Sequence, residues 1–424
     1  MREIDLSADD LVARLLSLAE TRQVCILDSC GVGHKGSHLL MAGVDPIEQI
    51  SIAFEPELAL AALDSAAAGS NAAIFTLSYD LGRLLQNVGT RHEPTSEPLL
   101  FLARFSSLIV HDYSTGKTVL AGDPAIAENL LRDSVDILRS ESAKVEPPES
   151  NFTRANYLDA VETIKEQIRS GNTYQTNLTR QISVDASDAP NAIFHRLRRD
   201  HPAPFSAFLR RPDSTVISAS PERFFRIEDG FISASPIKGT RPRGTTPADD
   251  QRLRNELLSS RKDRAENTMI VDLLRNDLGR VCEFGTVEVE SLCEIEELPS
   301  LFHMVSTIRG RLKQDTKFSD MLRALFPCGS ITGAPKISTM RIIDEIERTA
   351  RGLSMGAIGC FIPASFGISE AIDLSVAIRT MVIRDGIATF NVGGGIVIDS
   401  NPEKEWDETV VKSKALLNSL GIEV

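Results

Sequence analysis

Short apolar runs that follow one another without an intervening helix most constrain how this chain folds. In the second half, strand-like runs lie at 216–220, 231–234, 286–289, 358–363, 374–378 and 389–392. Amphipathic helical segments lie near 263–279, 336–350 and 403–419. A parallel pair of strands needs a long crossover connection, so adjacent strands with no helix between them predict antiparallel pairing. The first half adds apolar runs and an Ala/Leu-rich helical segment near 55–68, which predicts a mixed strand and helix module.

The sharpest change of composition lies at 141–150, E-S-A-K-V-E-P-P-E-S. A Pro-Pro pair and charged residues interrupt any periodic pattern there. We therefore place a boundary between an amino-terminal region, 1–145, and a catalytic region, 146–424. Just after this boundary, Thr153 is predicted to cap a helix that ends at Gly171.

The charge balance limits the partners of this chain. Its 424 residues contain 46 Lys and Arg against 59 Asp and Glu, a formal net charge of −13, which argues against binding nucleic acid or an anionic membrane. A small anionic substrate would need a local cluster of positive groups and backbone donors. The six scattered cysteines include no C-x-x-C pair, the amino terminus is polar, and no apolar run is long enough to span a membrane. These features predict reduced thiols and a cytoplasmic location.

Residues 31–36, G-V-G-H-K-G, formally match the dinucleotide-binding fingerprint. Asp28, Ser29 and Cys30 separate the preceding apolar run from the first glycine, and no helical pattern opens at Gly36. We therefore expect an ordinary glycine-rich turn here.

Two helical segments each present a pair of carboxylates on one face. Asp263 shares a face with Glu266, and Glu405 shares a face with Glu408 and Lys412. Four converging carboxylates would repel one another unless a hard cation lay among them, and all-oxygen ligation suits magnesium. Surface ion pairs such as Glu408 with Lys412 explain the same spacing, and spacing alone favours this simpler interpretation.

Two glycine-rich segments offer backbone donors to an anion. Residues 329–336, G-S-I-T-G-A-P-K, open a helix, so unpaired N–H groups and two hydroxyls face what precedes it. Gly393, Gly394 and Gly395 follow a strand, and Arg379 ends the neighbouring apolar run. Together these groups fit a small dicarboxylate, although a cap, a bulge or a turn explains each of them singly.

A lysine and a glutamate stand in positions that suit covalent and acid catalysis. Lys238 lies in the proline-bounded segment S-P-I-K-G-T-R-P-R-G, where a buried amine that lost its proton would be a nucleophile; an exposed loop lysine explains the pattern equally well. Glu222 in S-A-S-P-E-R-F follows a strand and is a candidate general acid. Its alternative is a surface ion pair with Arg223 or Arg226.

These segments together resemble the chorismate-utilising enzymes, a family that includes anthranilate synthase, isochorismate synthase, salicylate synthase and aminodeoxychorismate synthase component I. The likeness covers about residues 150–424 through S-P-E-R-F, P-I-K-G-T-R-P-R-G, K-D-R-A-E-N-T-M-I-V-D-L-L-R-N-D, H-M-V-S-T-I, G-S-I-T-G-A-P-K, A-I-R-T and G-G-G-I-V-x-D-S, in family order. The resemblance implies an α+β fold in which two antiparallel β-sheets pack as a sandwich-like core with helices on the outside.

The resemblance also implies a reaction. Lys238 occupies a position where aminodeoxychorismate synthases carry lysine and where anthranilate and isochorismate synthases usually carry alanine. In that branch the lysine adds to the chorismate ring as the allylic hydroxyl leaves, and ammonia then displaces the lysine to give 4-amino-4-deoxychorismate, the precursor of para-aminobenzoate and folate. Glu222 resembles the general acid that protonates the hydroxyl. Gln175 stands where the relatives that add water place a lysine base, which speaks against isochorismate formation.

The remaining site residues follow from the same resemblance. Glu266 and Glu408 resemble direct Mg²⁺ ligands, with Asp263 and Glu405 reaching the ion through water, so the resemblance reverses the preference for surface ion pairs. Groups that resemble those around the substrate carboxylates are Arg379, Lys412, Thr332 and the backbone of Gly393, Gly394 and Gly395. His303 lies where the family has a histidine near the reacting ring, and a hydrogen-bonded core histidine is its structural alternative.

Partners follow partly from what the sequence lacks. No G-x-C-x-G nucleophile motif of a glutamine amidotransferase is present, so the resemblance implies a separate component II subunit as the source of ammonia. L-D-S at 27–29 is similar to a family strand that holds tryptophan, which makes tryptophan a candidate ligand of the amino-terminal region. Two alternatives remain open, namely anthranilate synthase component I, which releases pyruvate, and a non-catalytic subunit that binds chorismate or tryptophan.

Overall fold

Two large antiparallel sheets carry the fold of the computed structural model, which describes residues 2–34, 36–123, 147–186, 188–298 and 301–423. The strands within these ranges are β1 (Arg2–Ile4), β2 (Val24–Asp28), β3 (Leu39–Val44), β4 (Glu48–Ile52), β5 (Ala72–Leu77), β6 (Leu100–Phe105), β7 (Ser107–Asp112), β8 (Lys117–Gly122), β9 (Glu149–Ser150), β10 (Gln175–Asp185), β11 (Phe205–Arg210), β12 (Thr215–Ser220), β13 (Arg223–Glu228), β14 (Phe231–Ala234), β15 (Ile237–Pro242), β16 (Glu288–Glu297), β17 (Leu301–Arg311), β18 (Gly333–Ala334), β19 (Ala357–Ile362), β20 (Ala371–Val376), β21 (Thr380–Arg384) and β22 (Ile387–Ile396).

The first sheet has twelve strands in the order β1-β8-β7-β3-β2-β11-β12-β21-β22-β10-β18, with β9 paired to β10. The second sheet has ten strands in the order β15-β17-β14-β13-β20-β19-β5-β6-β4, with β16 paired to β17. Every strand pair in the two sheets is antiparallel, as the adjacent apolar runs predict.

The helices of the described ranges are α1 (Ala8–Leu18), α2 (Pro56–Ala67), α3 (Tyr79–Leu85), α4 (Arg154–Arg169), α5 (Pro190–Asp200), α6 (Pro247–Ser259), α7 (Arg261–Gly279), α8 (Phe318–Leu325), α9 (Lys336–Ile346) and α10 (Pro402–Ser419). The hydroxyl of Thr153 accepts a hydrogen bond from the Asn156 N–H, which confirms the predicted cap of α4. None of these helices combines the length and apolar character that a membrane crossing requires.

Three large apolar clusters build most of the core of the described residues, beside two smaller ones. One lies between the sheets, where Cys25 and Leu209 of the first sheet pack with Ile74 and Ile358 of the second. A second cluster joins the first sheet to α1, α5 and α10, and a third joins the second sheet to α2, α7 and α8. Burial of a large apolar side chain stabilises the fold by about 1.5–3 kcal/mol, so the sheets hold together face to face while the helices cover their outer surfaces. The predicted α+β sandwich-like core is confirmed.

The boundary proposed between 1–145 and 146–424 lies at the end of the range 124–146, which is outside the described residues. Strands from both regions meet in each sheet. In the first sheet β2 pairs with β11, and in the second sheet β5 pairs with β19. All six cysteines are free thiols, as expected.

Candidate active site

Lys238 lies in an irregular part of β15, where this strand packs against α7. The register between β15 and β17 shifts between Ile237 and Thr240. Gly239 has φ +85°, and a Cβ placed on it would lie 2.9 Å from the Asp263 Cβ, so only glycine lets the strand approach the helix this closely. The half-buried Lys238 amine makes no hydrogen bond or ion pair within the described residues, and its charge acts on both Glu222 and Glu266. The lysine is therefore available to a ligand.

Glu222 is buried in the link between β12 and β13, with 6% of its surface exposed. The two arginines that could have paired with it are engaged elsewhere, since Arg223 bonds Asp373 and Arg226 bonds Glu228. Burial raises the pKa of the Glu222 carboxyl, while a hydrogen bond from Ser330 and the charge of Lys238 offset part of that rise. Its Oε1 is enclosed and has no partner among the described residues. Glu222 is thus an enclosed carboxyl with a raised pKa rather than a member of a surface ion pair.

His303 lies on β17, opposite Thr240 of β15. Its Nδ1 is 2.9 Å from the Thr240 hydroxyl, and burial lowers the pKa of the imidazole to about 4. The ring is therefore neutral at physiological pH, so it can form hydrogen bonds and pack against a ligand without adding positive charge.

The acidic faces of α7 and α10 lie near each other. Burial raises the pKa of Glu266, and the carboxylates of Asp263 and Glu408 raise it further. Burial likewise raises the pKa of Glu405, again with a contribution from Glu408. Each carboxylate also has a nearby polar partner: Arg241 for Asp263, Lys262 for Glu266, Ser400 for Glu405 and Lys412 for Glu408. The predicted Glu408–Lys412 ion pair is present, and the charge of Glu408 on α10 reaches Glu266 on α7.

Two observations test whether these carboxylates fit a hard cation. Glu266 Oε1 is enclosed without a hydrogen-bond partner among the described residues. A Cβ placed on Gly394 would lie 3.3 Å from both Glu405 Oε2 and Glu408 Oε1, so the absence of a side chain keeps that position open. Within the same residues, no group of three or more His, Cys, Asp or Glu side chains is arranged to hold a metal ion. An all-oxygen, partly solvated donor set of this kind suits magnesium.

Gly393, Gly394 and Gly395 lie within β22 and pair with β10, whereas the sequence pattern predicted that they follow a strand. Gly393 pairs with Thr179 of β10, and its carbonyl accepts a hydrogen bond from Lys412 at 2.8 Å. A Cβ on Gly395 would lie 2.2 Å from the Gln175 amide nitrogen, so glycine is required for that side chain to fit. Neither polar atom of the buried Gln175 amide has a partner among the described residues. The amide is thus poised to bond a ligand.

Arg379 and Thr332 differ in how free they are to bind an anion. Arg379 has φ +49°, a backbone conformation that costs energy for a non-glycine residue, and burial lowers the pKa of its guanidinium. Among the described residues its guanidinium has no hydrogen-bond or ion-pair partner, so an anionic ligand would satisfy it. The hydroxyl of the buried Thr332 instead donates to the Cys328 carbonyl at 3.0 Å, which leaves it only an acceptor role.

Sequence reasoning gave Ser330 no partner and did not name Thr176, although both hydroxyls lie beside predicted site residues. Ser330, in the turn Gly329–Ile331, bonds Glu222. Thr176 follows Gln175, and its hydroxyl is enclosed without a partner among the described residues. The motif G-S-I-T-G-A-P-K drew attention to Ser330, but its partner lies far away in the chain and only the fold brings the two together.

The segment 31–36 leads into β3 rather than into a helix, as expected for a glycine-rich turn. Near it lies a cavity of about 480 Å³ between the two sheets. Leu27, Asp28 and Ser29 line this cavity together with Phe205, and the Ser29 hydroxyl is enclosed without a partner among the described residues. The L-D-S strand therefore borders a cavity large enough for a small ligand.

Residues 23–418 match the family model described as chorismate binding enzyme. The chain is 37% identical over 373 residues to "Anthranilate synthase component 1 1" of Haloarcula marismortui, covering 82% of this chain and 75% of that protein. It is 38% identical over 351 residues to "Aminodeoxychorismate synthase component 1" of Salmonella typhimurium, covering 82% and 76%. It is 45% identical over 265 residues to "Aminodeoxychorismate synthase" of Streptomyces pristinaespiralis, covering 62% of this chain and only 36% of that protein.

The fold is shared with a solved relative. The crystal structure of anthranilate synthase component I from Streptococcus pneumoniae superposes with a TM-score of 0.79 at 27% identity, covering 91% of this chain and 93% of that one. Relatives with two different product names thus match at similar identity. On the family match across 23–418, this chain belongs to the chorismate binding enzymes.

Proposed function

We propose that the chain is an aminodeoxychorismate synthase component I, which converts chorismate and ammonia into 4-amino-4-deoxychorismate and water. Lys238 carries this proposal, because its amine is half-buried, unpaired among the described residues and electrostatically coupled to Glu222 and Glu266. An amine in this position supplies a nucleophile that a site built only for direct attack by ammonia does not need.

The reaction then consists of two displacements that balance. In the first, Lys238 Nζ, after its ammonium proton has gone to solvent, forms a bond to the ring while the allylic C–O bond breaks, and Glu222 gives its proton to the departing hydroxyl, which leaves as water. In the second, ammonia forms a bond at the carbon that lost the hydroxyl, the bond to Lys238 breaks, and the amine departs. The Glu222 carboxylate takes up one proton released by nitrogen, which restores the acid. Burial raises the pKa of Glu222, which favours the protonated form that this step needs.

The substrate carries two carboxylates, and this chain offers several groups for them. Arg379 has an unpaired guanidinium, Lys412 lies at the Gly393 carbonyl, and the amide of Gln175 lies unpartnered beside Gly395. Hydrogen bonds to a charged ligand contribute about 1.5–3 kcal/mol each, so these groups suffice to orient a dianion over Lys238. His303, neutral and bonded to Thr240, would border the reacting ring.

Glu266 and Glu408 would hold Mg²⁺ directly, and Asp263 and Glu405 would contact it through water. When bound, the ion neutralises carboxylate charge that would otherwise oppose the approach of an anionic substrate to an acidic protein. The like-charge contributions to the raised pKa values of Glu266 and Glu405 support this role, since a cation would relieve both.

Ammonia would come from glutamine through a separate component II amidotransferase. Two of the matched relatives are themselves named component 1, which supports a two-subunit enzyme. The chain alone should therefore aminate chorismate with ammonium as the nitrogen source. When the second subunit is added, glutamine should serve as the nitrogen source. The cavity beside Leu27, Asp28 and Ser29 is where we would test tryptophan as a ligand by calorimetry.

A second candidate is anthranilate synthase component I, which the Haloarcula and Streptococcus relatives favour. The two reactions share chorismate and ammonia but differ in their products. Anthranilate is aromatic and its formation releases pyruvate, whereas aminodeoxychorismate keeps its enolpyruvyl group.

Covalent trapping tests the role of Lys238. Protein incubated with chorismate and Mg²⁺ without ammonium, then denatured, should gain the mass of chorismate less one water. Lys238→Ala should abolish this adduct, while Lys313→Ala, which removes a surface lysine bonded to the Arg280 carbonyl, should leave it intact. An undiminished adduct in Lys238→Ala would remove the lysine from this role.

A further inference from the structure

His34, in the glycine-rich segment between β2 and β3, has no part in the mechanism above. Its side chain is fully enclosed, and its Nδ1 lies 2.5 Å from Glu296 Oε2. The ring packs edge-on against Phe205, with 5.8 Å between the ring centroids. Its other nitrogen, Nε2, is enclosed and has no hydrogen-bond partner among the described residues. A purely structural buried histidine would be expected to satisfy both nitrogens.

These contacts place His34 at the candidate active site. Glu296 of β16 lies opposite His303 of β17, and His303 lies opposite Thr240 of β15, so the three side chains form a row across the second sheet. His34 covers one end of this row. Thr240 bonds His303 and is close in sequence to Lys238.

The other contact leads toward Glu222. Phe205 begins β11 of the first sheet and pairs with Ser220, which shortly precedes Glu222. Both Glu222 and His303 interact electrostatically with the His34 side chain, so the imidazole is near each of them. His34 therefore bridges the two sheets beside the proposed general acid.

We propose that His34 is a further substrate-binding residue, whose Nε2 accepts a hydrogen bond from the allylic hydroxyl of chorismate. Glu296 accepts the Nδ1–H, which fixes the tautomer and leaves Nε2 as an acceptor. The same hydroxyl oxygen can then receive the Glu222 proton from its other side, so His34 orients the leaving group. This inference rests on the proposed role of Glu222.

Two substitutions at His34 distinguish the roles of its two ring nitrogens. The amide of His34→Asn can retain the bond to Glu296 but removes the atom at the Nε2 position, whereas His34→Gln restores an acceptor near that position. We expect His34→Asn to weaken chorismate binding about fivefold to tenfold and to lower kcat about a hundredfold, with partial recovery in His34→Gln. His195→Gln, the same change at an exposed histidine of α5, should alter neither value.

A chorismate analogue without the allylic hydroxyl distinguishes loss of the proposed hydrogen bond from a nonspecific disturbance of the site. By calorimetry, wild type and His34→Asn should bind this analogue equally, because the bond in question is absent from both complexes. If His34→Asn weakens the analogue as much as chorismate, or leaves chorismate binding unchanged, the proposal is wrong. This comparison holds whichever aminated product forms, so it fails independently of the proposed function.

Variants of Glu296 keep the test decisive if His34→Asn does not fold. Glu296→Gln retains an acceptor for Nδ1–H and should behave nearly as wild type. Glu296→Ala releases the ring and should lose the preference for chorismate over the analogue. Unchanged preference in Glu296→Ala would contradict the assigned orientation.

Discussion

The Lys412 amine lies 2.8 Å from the carbonyl oxygen of Gly393. This bond ties α10, which carries Glu405 and Glu408, to the glycine-rich part of β22. The same amine pairs with Glu408 at 2.7 Å, so one side chain contacts both the proposed anion-binding backbone and a proposed metal ligand.

Replacing Lys412 by methionine should therefore impair binding more than stability. The Lys412 side chain is 39% exposed, and an exposed pair of this spacing contributes only about 0.3–0.5 kcal/mol, so the melting temperature should change little. The Kd for chorismate, measured by calorimetry, should rise at least about tenfold because a charged ligand contact is lost. Lys414→Met, an exposed change on the same helix, is the control. Equal affinity in both variants would remove Lys412 from the site.

Glu222→Gln should lower activity while raising stability relative to wild type at higher pH. Loss of the proton donor should lower kcat about 10²–10⁴-fold. Burial raises the pKa of Glu222 above its ordinary value of 4.5, so the favourable protonated state is fully populated below pH 4.5 and is lost as pH rises through the folded-state pKa. The glutamine amide of the variant does not titrate, so the variant does not lose stability in this way as pH rises. Melting curves should therefore show the variant gaining stability relative to wild type as pH rises from 4 to 8, and the opposite trend would contradict a raised pKa.

Mg²⁺ should raise the melting temperature of the wild type. Binding only to the folded state stabilises it by about 2.7 kcal/mol when the ion is at a hundred times its Kd. Glu266→Gln and Glu408→Gln should abolish most of this shift. Glu403→Gln, at a carboxylate of α10 that pairs with Arg154, should preserve it. A full shift in the first two variants would place the ion elsewhere.

Arg379→Gln should weaken substrate binding without destabilising the protein. The guanidinium is desolvated and unpaired among the described residues, so its charge costs folding energy until an anion arrives. We expect chorismate affinity to fall at least about tenfold, with a melting temperature equal to or above that of wild type. Arg275→Gln, at a surface pair with Asp272, controls for loss of charge. A large drop in stability would indicate a structural role instead.

Local patterns predicted the helices of the site well. The segments near 263–279 and 403–419 became α7 and α10, because apolar spacing and capping residues act within a few turns. The paired carboxylates could be placed on their faces for the same reason. The segment near 336–350 ended earlier, as α9 at Ile346.

Contacts between distant parts of the chain could not be predicted in this way. The strand predicted at 286–289 overlaps only the first residues of β16. The observed strand continues to Glu297 through a charged, half-exposed stretch with a bulge at Cys293. The partner of His34 is 262 residues away. Likewise, the fit of Gln175 against Gly395 depends on the β10–β22 register, which local sequence does not encode.

The identity of the product tests the central claim most directly. Purified protein should be supplied with chorismate, Mg²⁺ and ammonium, and its product followed by mass, fluorescence and a pyruvate assay. We predict a non-aromatic aminated chorismate that retains its enolpyruvyl group, with no release of pyruvate. Fluorescent anthranilate formed with an equal amount of pyruvate would contradict the account.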